Sequence, residues 1–236
     1  MSTFVIVPGA WDTPATMEPL LEPLRSASHT VIVVDLPCGD ADATLKEYAD
    51  AVRAVLPDDL ADVVLVGYSF GGFTASRIAV EHPDVPVAYV AAWIPRDGAS
   101  VLDLFVGGDP FEAGEEAGIA AFDGLILGAG PGLCALNIDR YVAAADPSEQ
   151  HAIRSYLERT QRPQGIVALR EKWRGEPRTS GRCTYVLTTA DTLVPPEAQR
   201  VMAASVGADV VEIDTDHGPF REQPKRLAEL LVAASP

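Results

Sequence analysis

Cysteine is scarce and unpaired in this chain. Cys38, Cys134 and Cys183 stand at scattered spacings with no C-x-x-C among them. That excludes a dithiol redox centre and a thiolate zinc site, and each reads as a small buried apolar residue. Histidine is nearly as rare, and the four do not cluster as a metal site requires. Basic residues number 18 against 34 acidic ones, a formal charge of −16. Without a basic patch, neither nucleic acid nor an anionic membrane is an expected partner, and the charge reads mainly as an aid to solubility. No apolar run approaches 18 residues, so no membrane span is expected. The start, Met1-Ser-Thr-Phe-Val-Ile-Val, lacks the basic-then-apolar order of a secretory leader, and a cytoplasmic location is the expectation. Neither G-x-G-x-x-G nor G-K-[ST] occurs. No nucleotide, metal or redox cofactor is therefore expected.

What is present is a well-fed core. Of 236 residues, 47% are hydrophobic and 22% charged, which suits one folded domain. Strand-like runs recur at Phe4–Val7, Thr30–Val34, Val63–Val66, Val87–Trp93, Thr184–Leu187 and Asp209–Ile213. Most are continuously apolar, as strands buried on both faces must be. Helical spacing of apolar residues lies between them, at Pro14–Ser26, Leu45–Leu56, Phe73–Glu81, Pro196–Ser205 and Pro224–Ala233. Pro19 and Pro23 interrupt the first of these. The alternation predicts an α/β fold with a doubly wound, mostly parallel sheet.

One interval breaks the rhythm. About 90 residues separate the strand ending near Trp93 from the one at Thr184, far beyond an ordinary connection. Asp97 to Gly132 reads as Gly-rich loop, and Pro147–Thr160 as a helix capped by Asp146. We read residues 1–96 and 181–236 as the core and 97–180 as a cap over the C-terminal edge of the sheet.

The strongest chemical signal is Val63-Val-Leu-Val-Gly67-Tyr68-Ser69-Phe70-Gly71-Gly72, a G-x-S-x-G between a buried strand and a helix. A turn that tight strains the serine backbone, and the flanking glycines avoid a clash and let the helix approach the strand. The serine oxygen is thereby raised above the sheet at a helix N-terminus, where developing negative charge is favoured. A serine needs a base. His29 precedes a strand, His82 ends the helix after Ser69, and His151 falls in the cap helix. Only His217 follows a late strand and so reaches the same sheet edge. The third member should be a carboxylate ending a strand between them. Asp191, in Thr188-Thr-Ala-Asp191, fits. Asp97 is a rival after an earlier strand, and Asp214 and Asp216 lie too near His217 in sequence for good orientation. The oxyanion donors are then the amide of Phe70, next to the nucleophile, and that of Ala10 in the loop Pro8-Gly9-Ala10-Trp11-Asp12.

With these residues in place, the chain resembles the small α/β-hydrolases that include plant methyl esterases and hydroxynitrile lyases. The likeness rests on Val5-Ile-Val-Pro-Gly-Ala-Trp, Asp35-Leu-Pro, Gly67-Tyr-Ser-Phe-Gly-Gly, Asp191-Thr-Leu-Val-Pro-Pro and Asp216-His217, and implies the same triad and oxyanion donors. The family usually has His-Gly where this chain has Pro8-Gly9, and a second histidine where Asp12 stands. The lyase branch uses a threonine near the oxyanion loop and a lysine just after the catalytic histidine. Gly9 and Gly218 occupy those positions here, which disfavours cyanohydrin cleavage.

Gly9, Trp11, Asp12, Tyr68, Phe70, Trp93 and Phe105 are candidate lining residues of a pocket between sheet and cap. Arg96 and Arg140 read as solvated surface, with a substrate carboxylate as the alternative. The expected function is acyl-enzyme hydrolysis of a small, largely apolar ester, lactone or thioester, with a small molecule as the partner. Two alternatives stand beside it: cofactor-free cyclisation, C–C cleavage or acyl transfer on the same triad, and ligand binding without turnover. Oligomeric state has no signature, although the cap or an edge strand offers a surface for a homodimer.

Overall fold

Runs such as Val63-Val-Leu-Val must bury both faces if they are strands, and the fold places them so. The computed structural model describes residues 1–106, 124–177 and 181–235, without the side chains of 105 and 106. The strands are β1 (Thr3–Val7), β2 (Thr30–Val33), β3 (Val63–Tyr68), β4 (Val87–Val90), β5 (Ile126–Gly128), β6 (Leu133–Leu136), β7 (Gln164–Gly165), β8 (Cys183–Thr188) and β9 (Asp209–Ile213). The helices are α1 (Glu18–Ser26), α2 (Leu45–Arg53), α3 (Gly71–Glu81), α4 (Val101–Val106), α5 (Ile138–Val142), α6 (Gln150–Thr160), α7 (Ile166–Arg170), α8 (Pro196–Ser205), α9 (Pro219–Glu222) and α10 (Pro224–Ala233). Among the described residues no helix is long and apolar enough to cross a membrane.

Six strands form one parallel sheet in the order β2-β1-β3-β4-β8-β9. Alternate residues of each strand face opposite sides. Phe4 and Ile6 pack with Leu20 and Leu24 of α1 and Leu227 and Leu231 of α10. Val5 and Val7 join Tyr48 of α2, Phe73 and Ile78 of α3 and Met202 of α8 on the other face. The chain leaves β1 for one side of the sheet and returns to the other as β3. Their carboxyl ends therefore open a crevice at the switch in strand order, where open α/β sheets bind ligands. Val7 is in register with Gly67, so the Gly9 loop and the Ser69 turn leave the sheet side by side.

Between β4 and β8 the described chain forms a small antiparallel sheet, β5-β6-β7, with α4 to α7 around it. It is tied to loops at the carboxyl edge: the Trp11 indole donates to Cys134 O at 3.2 Å, Gly165 N to Cys38 O at 2.7 Å, and Thr13 Oγ1 to Thr160 O at 2.6 Å.

Several expected boundaries move. The first helix splits into a 3₁₀ turn at Pro14–Met17 and α1, with Pro19 in the first turn of α1, where its missing N–H costs nothing; Pro23 does not interrupt it and lies inside α1. The second helix ends at Arg53 rather than Leu56. The strand expected to run to Trp93 stops at Val90 because Ala91 turns left-handed, at φ 44°. The interval from Asp97 to Gly132 is not all loop, since it holds α4 and β5, while residues 107–123 lie outside the described part. Helix α6 begins at Gln150, with Glu149 at the N-cap position and no side-chain capping bond. The Asp146 carboxylate is taken instead by Ser148, whose N–H donates to it at 2.8 Å.

Candidate active site

The serine turn shows why its neighbours are glycines. Ser69 has φ 50°, a left-handed conformation costly for a side chain that is not glycine. A Cβ on Gly71 would sit 2.3 Å from Val7 O and 2.4 Å from Pro8 O, and one on Gly67 would meet the Ala75 methyl at 2.8 Å. Helix α3 can pack this close, with its N-terminus under the serine, only because both side chains are missing. Gly71→Ala is expected to destabilise the fold by about 3 kcal/mol through overpacking against rigid backbone. A urea unfolding midpoint unchanged by the substitution would contradict this packing.

Ser69 and His217 are each 7% exposed and Asp191 4%. His217 Nε2 is 2.9 Å from Ser69 Oγ, and Nδ1 is 2.8 Å from Asp191 Oδ2. The neighbouring carboxylate assigns the proton to Nδ1, which leaves the Nε2 lone pair facing the serine hydroxyl. Asp191 is itself fixed: Oδ1 accepts the amides of Leu193 and Val194, both at 2.8 Å, and Oδ2 accepts the Thr188 hydroxyl at 2.7 Å. The Tyr68 hydroxyl donates to His217 O at 2.7 Å and holds that loop down. Burial of the imidazole works against its protonation, but the charge and hydrogen bond of Asp191, aided by Asp216 and Asp12, outweigh it and raise the pKa above 6.5.

Of the two oxyanion candidates, Ala10 lines the cavity over Ser69, and Phe70 stands at the N-cap of α3 directly after the serine. Among the described residues, neither the Phe70 nor the Ala10 amide donates to an intramolecular acceptor. Trp11, left-handed at φ 65°, is held by the segment between β4 and β8: its N–H donates to Gln164 Oε1 at 3.4 Å, and its carbonyl accepts Arg162 N at 2.9 Å. These two bonds tie the loop after β1, which includes Ala10, to residues 162 and 164.

Other expected residues separate. Ala10, Trp11, Asp12 and Tyr68 line the cavity over Ser69, and Gly9 lies against its wall. Neither Phe70 nor Trp93 lines it; both side chains are buried in the core, and the Trp93 backbone N–H donates to Ser69 O at 3.0 Å. The Phe105 side chain lies outside the described residues. The rival Asp97 is exposed and accepts Gly175 N at 2.8 Å, and Asp214 accepts the Thr189 hydroxyl at 2.9 Å. Asp216 accepts Gly218 N and Arg221. Arg140 borders an adjoining groove, and Arg96 does not line the cavity. Thr16, Leu125, Leu136, Tyr141, Tyr156, Leu157, Gln161, Leu193, Gly218, Phe220 and Arg221 also line it, none of them a pocket candidate from sequence. Among the described residues no group of three or more His, Cys, Asp or Glu could hold a metal ion.

Asp12 is the unusual member. It is 5% exposed, and burial lifts its carboxyl from 3.8 to about 7, against lowering contributions from Gln161, His217, the Gly9 amide and Thr16. Because the folded value is raised, stability is fullest below pH 3.8 and is lost as pH rises to about 7. Asp12→Asn is thus expected to be more stable than wild type at pH 8, by up to about 4 kcal/mol. The difference should shrink toward pH 4. Parallel denaturant titrations at the two pH values check this.

Residues 4–230 match the alpha/beta hydrolase family. Polyneuridine aldehyde esterase of Rauvolfia serpentina is 27% identical over 260 residues, covering 96% of this chain and 91% of that protein. A pyrethroid hydrolase of Sphingobium faniae superposes with a TM-score of 0.75 at 20% identity, over 98% of this chain and 96% of its own. An extracellular alpha/beta-hydrolase from a Paenibacillus species also gives 0.75, at 23% identity, over 100% and 99%. A match over nearly the whole length, on a sheet of this order, means that this chain belongs to the alpha/beta hydrolase family.

Proposed function

We propose that this chain hydrolyses small, largely apolar carboxylic esters, lactones or thioesters through an acyl-enzyme on Ser69. The observation that carries the reading is the buried line of hydrogen bonds from Asp191 through His217 to Ser69. In this mechanism His217 Nε2 takes the Ser69 proton as Oγ adds to the ester carbonyl. The Phe70 and Ala10 amides meet the oxygen that becomes negative. His217 then passes the proton to the leaving alkoxide as the ester C–O bond breaks. Water enters, gives a proton to His217 and adds to the acyl carbon. Collapse returns that proton to Ser69 and frees the acid. Asp191 holds the ring in one tautomer and balances its transient positive charge.

Apolar walls from Leu125, Leu136, Leu157, Leu193 and Phe220 suit an apolar substrate. The names of two relatives, an esterase and a pyrethroid hydrolase, support ester cleavage. Rapid acid quench during turnover of 4-nitrophenyl butanoate, followed by peptide mass spectrometry, tests the reading. A butanoyl group on the Ser69 peptide is the expected result. Turnover with no acyl-serine at any time would point instead to His217 acting as a base without Ser69 as nucleophile.

A further inference from the structure

Besides Ser69 and His217, the cavity has apolar walls from five leucine and phenylalanine side chains and polar ones from Thr16, Tyr68, Tyr141, Tyr156 and Arg221; Asp12 and Gln161 stand together among them, and the mechanism uses neither. Asp12 follows β1 and Gln161 follows α6; the two residues form an isolated antiparallel bridge, and Gln161 Nε2 donates to Asp12 Oδ1 at 3.5 Å. Both line the cavity with Ser69 and His217. The Asp12 Oδ2 and the Ser69 Cβ lie 2.8 and 2.9 Å from one point, the place a side chain on Gly9 would occupy. The carboxyl and the nucleophile therefore border the same small space.

Gln161 spends its amide N–H on Asp12. Its Oε1 is buried and, among the described residues, has no hydrogen-bond partner. An unpaired buried acceptor costs about 1–3 kcal/mol, and burial opposes ionisation of the Asp12 carboxyl more than its neighbours favour it. Both penalties fall when a bound molecule supplies a donor. We propose that Asp12 and Gln161 form a polar subsite that selects esters carrying a hydrogen-bond donor, a hydroxyl or a protonated amine, close to the reacting carbonyl. This deepens the proposed hydrolysis and rests on it.

The two donors differ in what they ask of Asp12. The titratable groups that face it are His217 after β9, Tyr68 on β3, Tyr156 on α6 and Cys38 after β2. With its carboxyl near 7, Asp12 exists in both forms at neutrality. A hydroxyl can bond to either form, whereas an ammonium ion gains only from the ionised one.

The test compares kcat/KM for methyl butanoate, methyl 3-hydroxybutanoate and methyl 3-aminobutanoate. Wild type should favour at least one substituted ester over the plain one by about tenfold, the worth of one good hydrogen bond to such a group. Asp12→Leu and Gln161→Leu should each bring the ratio toward one. Asp12→Asn should remove a preference for the amine while keeping part of one for the hydroxyl. Should Asp12→Leu fail to fold, the other two variants carry the comparison. Equal kcat/KM in wild type, or a preference that survives both leucine variants, overturns the subsite. The same ratios read as binding to Ser69→Ala, by ligand-observed NMR, separate the two readings. Discrimination in binding with no turnover by wild type would overturn ester hydrolysis and sustain the subsite, and turnover without discrimination would do the reverse.

Discussion

Ser69→Ala is expected to lower kcat for ester hydrolysis by about 10⁶-fold while leaving the protein folded, since deleting a nucleophile whose partners act as one unit forfeits the whole covalent route. The hydroxyl makes one contact that matters, to His217 Nε2 at 2.9 Å, and lies in a cavity rather than in packed core. An alanine keeps the Cβ. It also keeps the left-handed backbone at φ 50°, which is held by Ser69 N donating to Val90 O at 3.2 Å and by Ser69 O accepting Gly72 N and Trp93 N, both at 3.0 Å. Circular dichroism and unfolding midpoint should therefore match wild type within about 1 kcal/mol. Residual turnover of the variant would measure what the two amides and the cavity contribute alone.

Asp191→Asn should lower kcat by about 10⁴-fold, for a reason of proton placement rather than lost packing. The Leu193 and Val194 amides both donate to Oδ1, so an asparagine must keep its oxygen there and turn its NH₂ toward His217. Two N–H groups cannot share one hydrogen bond, and the ring would move its proton to Nε2. That nitrogen would then donate to Ser69 instead of accepting from it. The substitution also removes the strongest influence raising the His217 pKa. Wild-type kcat/KM should fall on the acid side with an apparent pKa above 6.5, because the base must be neutral, and in the variant this limb should move to lower pH. A limb that stays in place would mean that another group governs the acid side.

Much of this site is legible from local patterns. The strand before Ser69, the glycines around it and the single histidine after a late strand each leave a mark within a few residues. Asp191 could be placed because it follows a strand that pairs in parallel with the one preceding His217, Thr188 standing opposite Ile213. What escaped depends on partners distant in the chain. The Asp12–Gln161 contact spans 149 residues, and no periodicity connects a loop after the first strand to the end of a cap helix. The β5-β6-β7 sheet consists of strands of four residues or fewer, too short to impose an alternation. Val87–Trp93 reads from sequence as one strand, with Trp93 among the aromatics that could line the pocket. The left-handed turn at Ala91 has no side-chain signature, and it sends the indole into the core instead.

The central claim is that Ser69 is an activated nucleophile, and fluorophosphonate labelling tests it most directly. Wild type and Ser69→Ala would be treated side by side and the adduct located by peptide mass spectrometry. The account predicts one phosphonylated site, Ser69, absent in the variant and slowed in Asp191→Asn. Folded wild-type protein that stays unlabelled, or that labels equally in Ser69→Ala, would contradict it.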